Sequence, residues 1–508
     1  MSAPRISAPV RVPVYIDVPE RLRARAAWTL DTLLSLSGGR ADAVYDAARA
    51  PACALAYAAA PVAGVPTLPV VTAAVDLLLG ERPLPPSSFR RQRVGDVVVP
   101  GVFPAAEEGG FAVPFELVTS AFVLLAAWDE HTSSQRDRHG RLPYAASVFA
   151  ANPTLSTGAA PVDGYALCLR VLLEERLAAL GTPLPRDPGW DGARFAVACT
   201  HDIDHVKRWT ARGLAGASRR AARAAARRDR AGALFELQTL RHAMVHDIPN
   251  HIDPYWPFPD LPQGERSRGL AATYFILASH GHASDGADPA AYERRRSELV
   301  RLLRRHGSEI GIHGNERDRR DLVGLLADRA RLSTMAETHV EGMRFHYLRC
   351  LYHETLPLLE QAGFVYDSSL AFAEQEGYRC GCSFPFHPYD LTHERPLRLI
   401  ELPLAVMDST LQEQRYRGLD ASEALSASLA VLERARLSGG AAAVLWHQNR
   451  FDERLGAGYG DVYWRILDWV RDHGGRAGSA AEIVHGWLRR LGEEPPAPDA
   501  EPPAVAAG

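Results

Sequence analysis

The sequence predicts an α/β protein whose larger part is a distorted (β/α)7-type barrel, preceded by a smaller α/β domain. Three observations carry this. From about residue 193 onward, strand-like runs alternate with helix-like runs, the pattern of a parallel sheet. Seven runs are strand-like, which favours a barrel over an open sheet, although periodicity alone cannot close one. The segment GTPLPRDPGWDG (181–192) is rich in Pro and Gly and separates this part from one of different rhythm.

The N-terminal part, 1–185, opens with an alternating strand over 10–18. A helix follows over 21–37, with Leu22, Ala26, Leu30, Leu33 and Leu34 at helical spacing and a stop at Gly38-Gly39. Short β-like runs broken by Pro and Gly fill 51–114. The run FELVTSAFVLLAAWDEH (115–131) predicts a strong amphipathic helix, and a second helix spans 162–179.

The larger domain, 193–490, has its seven strands at 195–202, 271–277, 309–313, 340–346, 364–369, 399–404 and 442–447. Helical patterns include 289–306, 353–362, 421–437 and 460–473. Residues 206–246 interrupt this rhythm with SRRAARAAARRDRAGALFELQTLRHAM, read as one long helical insertion whose arginines are a solvated face. The tail, 491–508, is low in complexity and expected to be disordered.

The bulk numbers exclude some classes. With 508 residues, 46% hydrophobic and 23% charged, the chain reads as soluble and globular. A net charge of −4 gives no reason to expect nucleic acid. No run of about 18 apolar residues predicts a membrane span, and no signal h-region is evident, so a cytoplasmic location is expected. The six cysteines are sparse and read as reduced thiols; Cys380-x-Cys382 has no second pair at zinc-finger spacing.

In parallel α/β architectures, active sites gather at the carboxyl ends of strands. Polar residues concentrate there in this chain: Thr200-His201-Asp202-Ile203-Asp204-His205, His313, Arg344-Phe345-His346, Asp367-Ser368-Ser369 and Trp446-His447. Asp202 and Asp204 are two apart and point the same way along a strand. Adjacent carboxylates repel unless a cation or proton intervenes. With His313 and His447 on neighbouring rims, a metal site is the favoured reading. One carboxylate would bind the metal while the other takes a proton from water. Asp408, after the strand LIELPL, reads equally well as a rim residue or a core cap.

The order of these motifs resembles the polysaccharide-deacetylase (NodB-homology, carbohydrate esterase family 4-like) superfamily. THDIDH, HGSEIGIHG, GMRFHYLR, YDSSLAF and VLWHQNRFDE stand in the superfamily's order over about residues 193–490. The pieces AFVLLAAWDEH, DRHGRLP and PVDGYALCLRVLL are similar to a domain that precedes it in one bacterial subfamily. The resemblance implies that Asp202 is the general base and Arg344 the arginine that orients it. It implies Asp204 and His313 as metal ligands and His447 as the acid that protonates the leaving amine. The metal and a backbone N–H after Arg344 would stabilise an oxyanion.

One position departs from the pattern. The family's second motif carries histidines four apart, and here Arg317 stands four after His313. His346 is the first candidate for the third ligand because it ends the next strand; His205, Asn315 and His387 rank lower. The expected cofactor is a divalent metal, zinc. The expected activity is a hydrolase removing N-acetyl groups from a carbohydrate, an amino-sugar glycan or its precursor. The alternatives are the same fold acting on another amide or formamide, and a catalytically inactive glycan-binding protein.

Overall fold

The computed structural model describes residues 9–106, 109–185, 189–208, 211–243, 253–279, 289–316 and 318–495. Its first part carries a parallel sheet of β1 (Val10–Ile16), β2 (Gly39–Val44), β3 (Leu55–Ala58) and β4 (Thr67–Pro69), in the order β2-β1-β3-β4. The helix Glu20–Ser35 buries Leu22, Ala26, Leu30 and Leu33, as its spacing predicts. A hairpin of β5 (Arg90–Val94) and β6 (Val97–Gly101) turns through Gly95 at φ +55°.

The segment 115–131 differs from expectation. It forms two helices, Leu117–Leu125 and Trp128–Thr132, broken at Ala127 with φ 44°. Every residue of the first is buried, so it is not amphipathic. Phe122 explains why: its ring meets Trp28 of the preceding helix at 5.8 Å and Tyr389 of the larger part at 6.1 Å. The helix is covered from both sides.

The larger part contains β7 (Ala196–Ile203), β8 (Thr273–Ile276), β9 (Glu309–Gly314), β10 (Gly342–Phe345) and β11 (Tyr366–Asp367). A small antiparallel pair, β12 (Tyr389–Asp390) and β13 (Arg395–Pro396), follows. Then come β14 (Ile400–Glu401), β15 (Leu404–Met407), β16 (Ala441–Leu445) and β17 (Arg476–Gly478). The main sheet runs β14-β11-β10-β9-β8-β7-β16-β15, all parallel. Its two ends are halves of one stretch. Leu402 N donates to Asp367 O at 2.9 Å, and Pro403 O accepts from Ala443 N at 2.8 Å. Residues 400–407 therefore pair with β11 by their first half and with β16 by their second, which closes a ring of seven strands among the described residues. All seven coincide with predicted strands. The strand β17, which pairs with the first half of β7, was not expected.

Two other expectations are corrected. The insertion is not one helix but two, Ala211–Ala226 and Arg230–Ala243, packed on each other. The break lies at Arg228, with φ 60°, and Asp229 Oδ1 accepts the N–H of Gly232 to start the second. Arg208 and Arg220 both reach Glu236, at 2.7 and 2.9 Å, so part of the arginine surface is internally neutralised. The tail is structured further than expected. The helix Ala480–Leu491 starts in a Ser479/Glu482 capping box and ends at Gly492, φ 73°. Glu493 then bridges Arg40 and His387, at 2.9 and 3.1 Å. Residues 496–508 lie outside the described residues. No helix among the described residues is long and apolar enough to cross a membrane. All six cysteines are free and buried.

Alternation along β7 sends Thr200 and Asp202 into the barrel and His201 outward. His201 is fully buried under the outer helices. Its Nδ1 meets Trp446 O and its Nε2 meets Glu265 Oε1, both at 2.7 Å. Tyr463 and Tyr274 also donate to Glu265, at 2.7 and 2.9 Å. Both ring nitrogens face acceptors, and one of these is the buried Glu265 side chain. Leaving a buried polar group without its hydrogen-bond partner typically costs about 1–3 kcal/mol. Glu265→Ala should lower the unfolding free energy from urea titration by that order; an unchanged value would show that this cluster does not anchor the helices to β7.

Candidate metal centre and its proton-transfer groups

The interior side chains of β7 converge with those of β9 and β10. Arg344 is in register with His313 across the β10–β9 ladder. Its guanidinium is fully buried and lies over the Phe275 ring, 4.6 Å from the centroid. It donates to Thr200 Oγ1 at 2.6 Å, Asp202 Oδ1 at 3.2 Å, Ser368 O at 2.7 Å and Ser368 Oγ at 2.8 Å. Four donor contacts fix the fork, and Asp202 is held on its far side.

His313 lies between the two aspartates. Its Nδ1 is 3.8 Å from Asp202 Oδ2, and its Nε2 is 3.1 Å from Asp204 Oδ1. His346 Nε2 is 3.5 Å from the same Asp204 oxygen. Asp204 Oδ1 and both His313 nitrogens are buried without a partner in hydrogen-bonding geometry. Buried polar atoms that aim at one another without bonding call for a ligand between them. Asp204, His313 and His346 each offer a donor atom within 4.8 Å of the others. Donors about 2.0–2.2 Å from a tetrahedral zinc ion are about 3.3 Å apart. The separations of 3.1 and 3.5 Å fit that geometry, and two imidazoles with one carboxylate fit the chemistry.

His447 closes the other side. Its Nε2 is 3.6 Å from Asp204 Oδ2. Its Nδ1 pairs with Asp408 Oδ1 at 2.6 Å, and its own N–H donates to Asp408 Oδ2 at 3.0 Å. Arg450 Nε also donates to Asp408, at 3.0 Å. Asp408 is therefore a rim residue, not a core cap. The sequence signal was its place after the strand; what could not be read was the crossing to His447. Trp446 turns away and donates to Tyr459 O.

The charges divide cleanly. Burial pushes His346 down to about 3, which leaves it the neutral imidazole a metal needs. Burial opposes charge on His447 as well, but Asp408 first and then Asp204 and Asp202 raise it to about 9. Of His346 and His447, it is thus His447 that carries a proton. Asp204 stays well below the usual carboxylate range despite its burial, because the imidazoles surround it. Asp408 is likewise held down, at about 2, against burial, by His447 and Arg450.

All six expected site residues, Asp202, Asp204, His313, Arg344, His346 and His447, are brought together. The lower-ranked ligands are not in the three-donor group. Asn315 exchanges hydrogen bonds with Asp318, at 2.9 and 3.3 Å. His387 lines a separate cavity of 470 Å³ with Trp28, Arg40 and Glu493. His205 stacks on Tyr255 at 5.7 Å. Arg317 lies outside the described residues. Of the amides that follow Arg344, that of Phe345 is not available to an oxyanion, because Phe345 N donates to Ser369 Oγ at 2.9 Å. Ser369 is itself fixed by Asp367, which burial raises to about 6.

No family model matches this chain, and no curated protein matches it. Solved structures do. A candidate polysaccharide deacetylase from Mycobacterium smegmatis is similar at 20% identity, over 60% of this chain and 94% of that one, with a TM-score of 0.38. A candidate polysaccharide deacetylase from Pseudomonas aeruginosa PAO1 is 14% identical over 62% and 97%, TM-score 0.39. The PuuE allantoinase is 12% identical over 62% and 96%, TM-score 0.39. The closed seven-stranded barrel with its polar rim is the architecture that the sequence motifs implied for the larger part.

In the metal-free protein the His447–Asp408 pair has a definite pH signature. A histidine raised from about 6.5 when unfolded to about 9 when folded contributes fully below about 6.5. That contribution is lost as pH rises through 9. Asp408→Asn should therefore destabilise EDTA-treated protein more at pH 6 than at pH 10, read from thermal unfolding. A gap that is constant or wider at pH 10 would contradict this charge assignment.

Proposed function

We propose that this chain is a metal-dependent hydrolase of the polysaccharide-deacetylase type, removing N-acetyl groups from an amino-sugar glycan or its precursor. The observation that carries this reading is the Asp204–His313–His346 donor set, flanked by Asp202 on one side and His447 on the other. In this reading those three residues hold one divalent metal, zinc. A bound cation would polarise the amide carbonyl and lower the pKa of water.

The chain's own residues supply the proton transfers. Asp202, oriented by Arg344, takes the proton of the water that attacks the carbonyl carbon. His447, charged and oriented by Asp408, gives its proton to the amide nitrogen as the C–N bond breaks. Acetic acid and the free amine leave and exchange a proton in solvent, and the proton on Asp202 returns to His447 through solvent. The exposed edges of Asp204 and His447, 21% and 17% accessible, mark where substrate enters, whereas Asp202 and His313 are nearly closed off. The restored three-donor set favours an enzyme over an inactive binder.

Elemental analysis should find one divalent metal per chain, lost in Asp204→Ala, His313→Ala and His346→Ala. Metal-free native protein, or unchanged content in these variants, would remove the basis of the reading. Asp202→Asn should keep the metal and lose about 10²–10⁴-fold in turnover on N-acetylglucosamine oligomers, the typical worth of a general base. A near-native rate would place the base elsewhere. His447→Ala should slow hydrolysis of an acetamide far more than that of an activated acetate ester, whose leaving group needs no proton. Equal losses on both would mean that His447 is not the acid.

A further inference from the structure

The turn Asp137-Arg138-His139-Gly140-Arg141 belongs to the N-terminal part, yet it ends against the metal centre. Asp137 Oδ1 accepts from the backbone of His139 and Arg141, at 2.8 and 3.0 Å. Its Oδ2 accepts from Arg141 Nε and Nη2, at 2.9 and 2.6 Å. This leaves Arg141 Nη1 free to reach across, and it donates to Tyr347 O at 2.6 Å. Gly140 takes φ +77°, left-handed backbone that favours glycine.

Tyr347 follows His346 at the end of β10. Tyr347 and Leu348 both adopt left-handed backbone, φ 57° and 55°, which non-glycine residues hold only when surroundings enforce it. The enforcing contacts are visible. The Tyr347 ring stacks on His346 at 3.9 Å and 14°, and on His139 at 4.6 Å and 19°. Two rings at those spacings cannot share one face, so Tyr347 is clasped between them. Arg349 Nη2 approaches His139 Nδ1 at 3.3 Å and braces the outer ring. A column of three rings thus runs from the N-terminal turn to a residue of the metal centre.

We infer that the Asp137–Arg141 turn is a positioning element of the metal centre, holding His346 in ligand geometry through Tyr347. The N-terminal part thereby completes a site whose third donor comes from an irregular turn rather than from a second histidine at position 317. Arg141 and His139 are positioning residues; neither is within the donor set. This inference rests on the reading of His346 as a ligand.

The test uses full-length, EDTA-treated protein titrated with Zn²⁺ by calorimetry and with Co²⁺ by absorption. Arg141→Ala and His139→Ala should each weaken Zn²⁺ binding by about 10–100-fold, the usual effect of groups that orient a ligand. The Co²⁺ bands should lose intensity as coordination rises. His139→Phe, which keeps a stacked ring, should restore both. A general loss of structure would not be rescued by that ring, and the Ala and Phe pair at the half-buried His139 carries the test if Arg141→Ala fails to fold. If native protein binds neither metal, or His346→Ala binds as tightly as native, the metal-centre reading itself is overturned. If His346→Ala loses affinity while Arg141→Ala and His139→Ala, or His139→Ala alone where Arg141→Ala does not fold, bind like native protein, only the positioning inference is overturned.

Discussion

The Arg344 guanidinium is buried in the middle of the barrel, and the site is arranged around its needs. A charge in that position is tolerable only when it is paired and its donors are used. Asp202 supplies the charge, and Thr200 and Ser368 take most of the remaining donors. These partners sit on β7 and just after β11, so the one side chain ties together strands that are not neighbours. Because His313 is in register with Arg344, the same constraint sets His313 between Asp202 and Asp204. Any shift of β10 along its ladder would unpair the arginine and take it out of register with His313.

Around this anchor each carboxylate has its own counterpart. Asp202 faces Arg344, Asp408 faces His447 and Arg450, and Asp204 faces imidazoles. Two carboxylates this close would normally raise one another's pKa. Here separate partners keep Asp204 and Asp408 low, and leave Asp204 as the carboxylate whose buried oxygen aims at donors without bonding to them. The same division leaves one neutral histidine and one charged histidine at opposite edges of Asp204. Binding and proton donation can then be separate tasks within one rim.

The N-terminal part is not joined to the barrel only by its linker. Glu130 accepts from Tyr352 N at 2.7 Å and pairs with Arg379; Asp163 accepts from Ser383 N at 3.0 Å; Trp28 donates to His387 O at 2.9 Å. These contacts use carboxylates and an indole that are themselves buried, so they are specific rather than incidental. Leu117–Leu125 lies beside these contacts and is buried on all sides, Thr119 and Ser120 included.

Local sequence determined what local physics controls. The seven barrel strands were legible because alternation and flanking turns repeat at each, and the strand-end polar clusters were legible because a parallel barrel gathers one end of every strand. That placed all six residues of the candidate site. The capping boxes and the C-terminal glycines set the helix ends in the same way. What the sequence could not decide depended on partners distant along the chain. Closure rests on 400–407 pairing with strands on both sides. Asp408 became a rim residue only because β15 lies beside β16, and Phe345 N was withdrawn by Ser369 from the neighbouring strand. His346 rather than His205, Asn315 or His387 joined Asp204 because the turn after β10 is forced into left-handed backbone. The forcing contacts, Arg141 and His139, lie some two hundred residues away. A spacing rule sees one strand at a time, whereas these choices are made by side chains meeting across the barrel and from outside it.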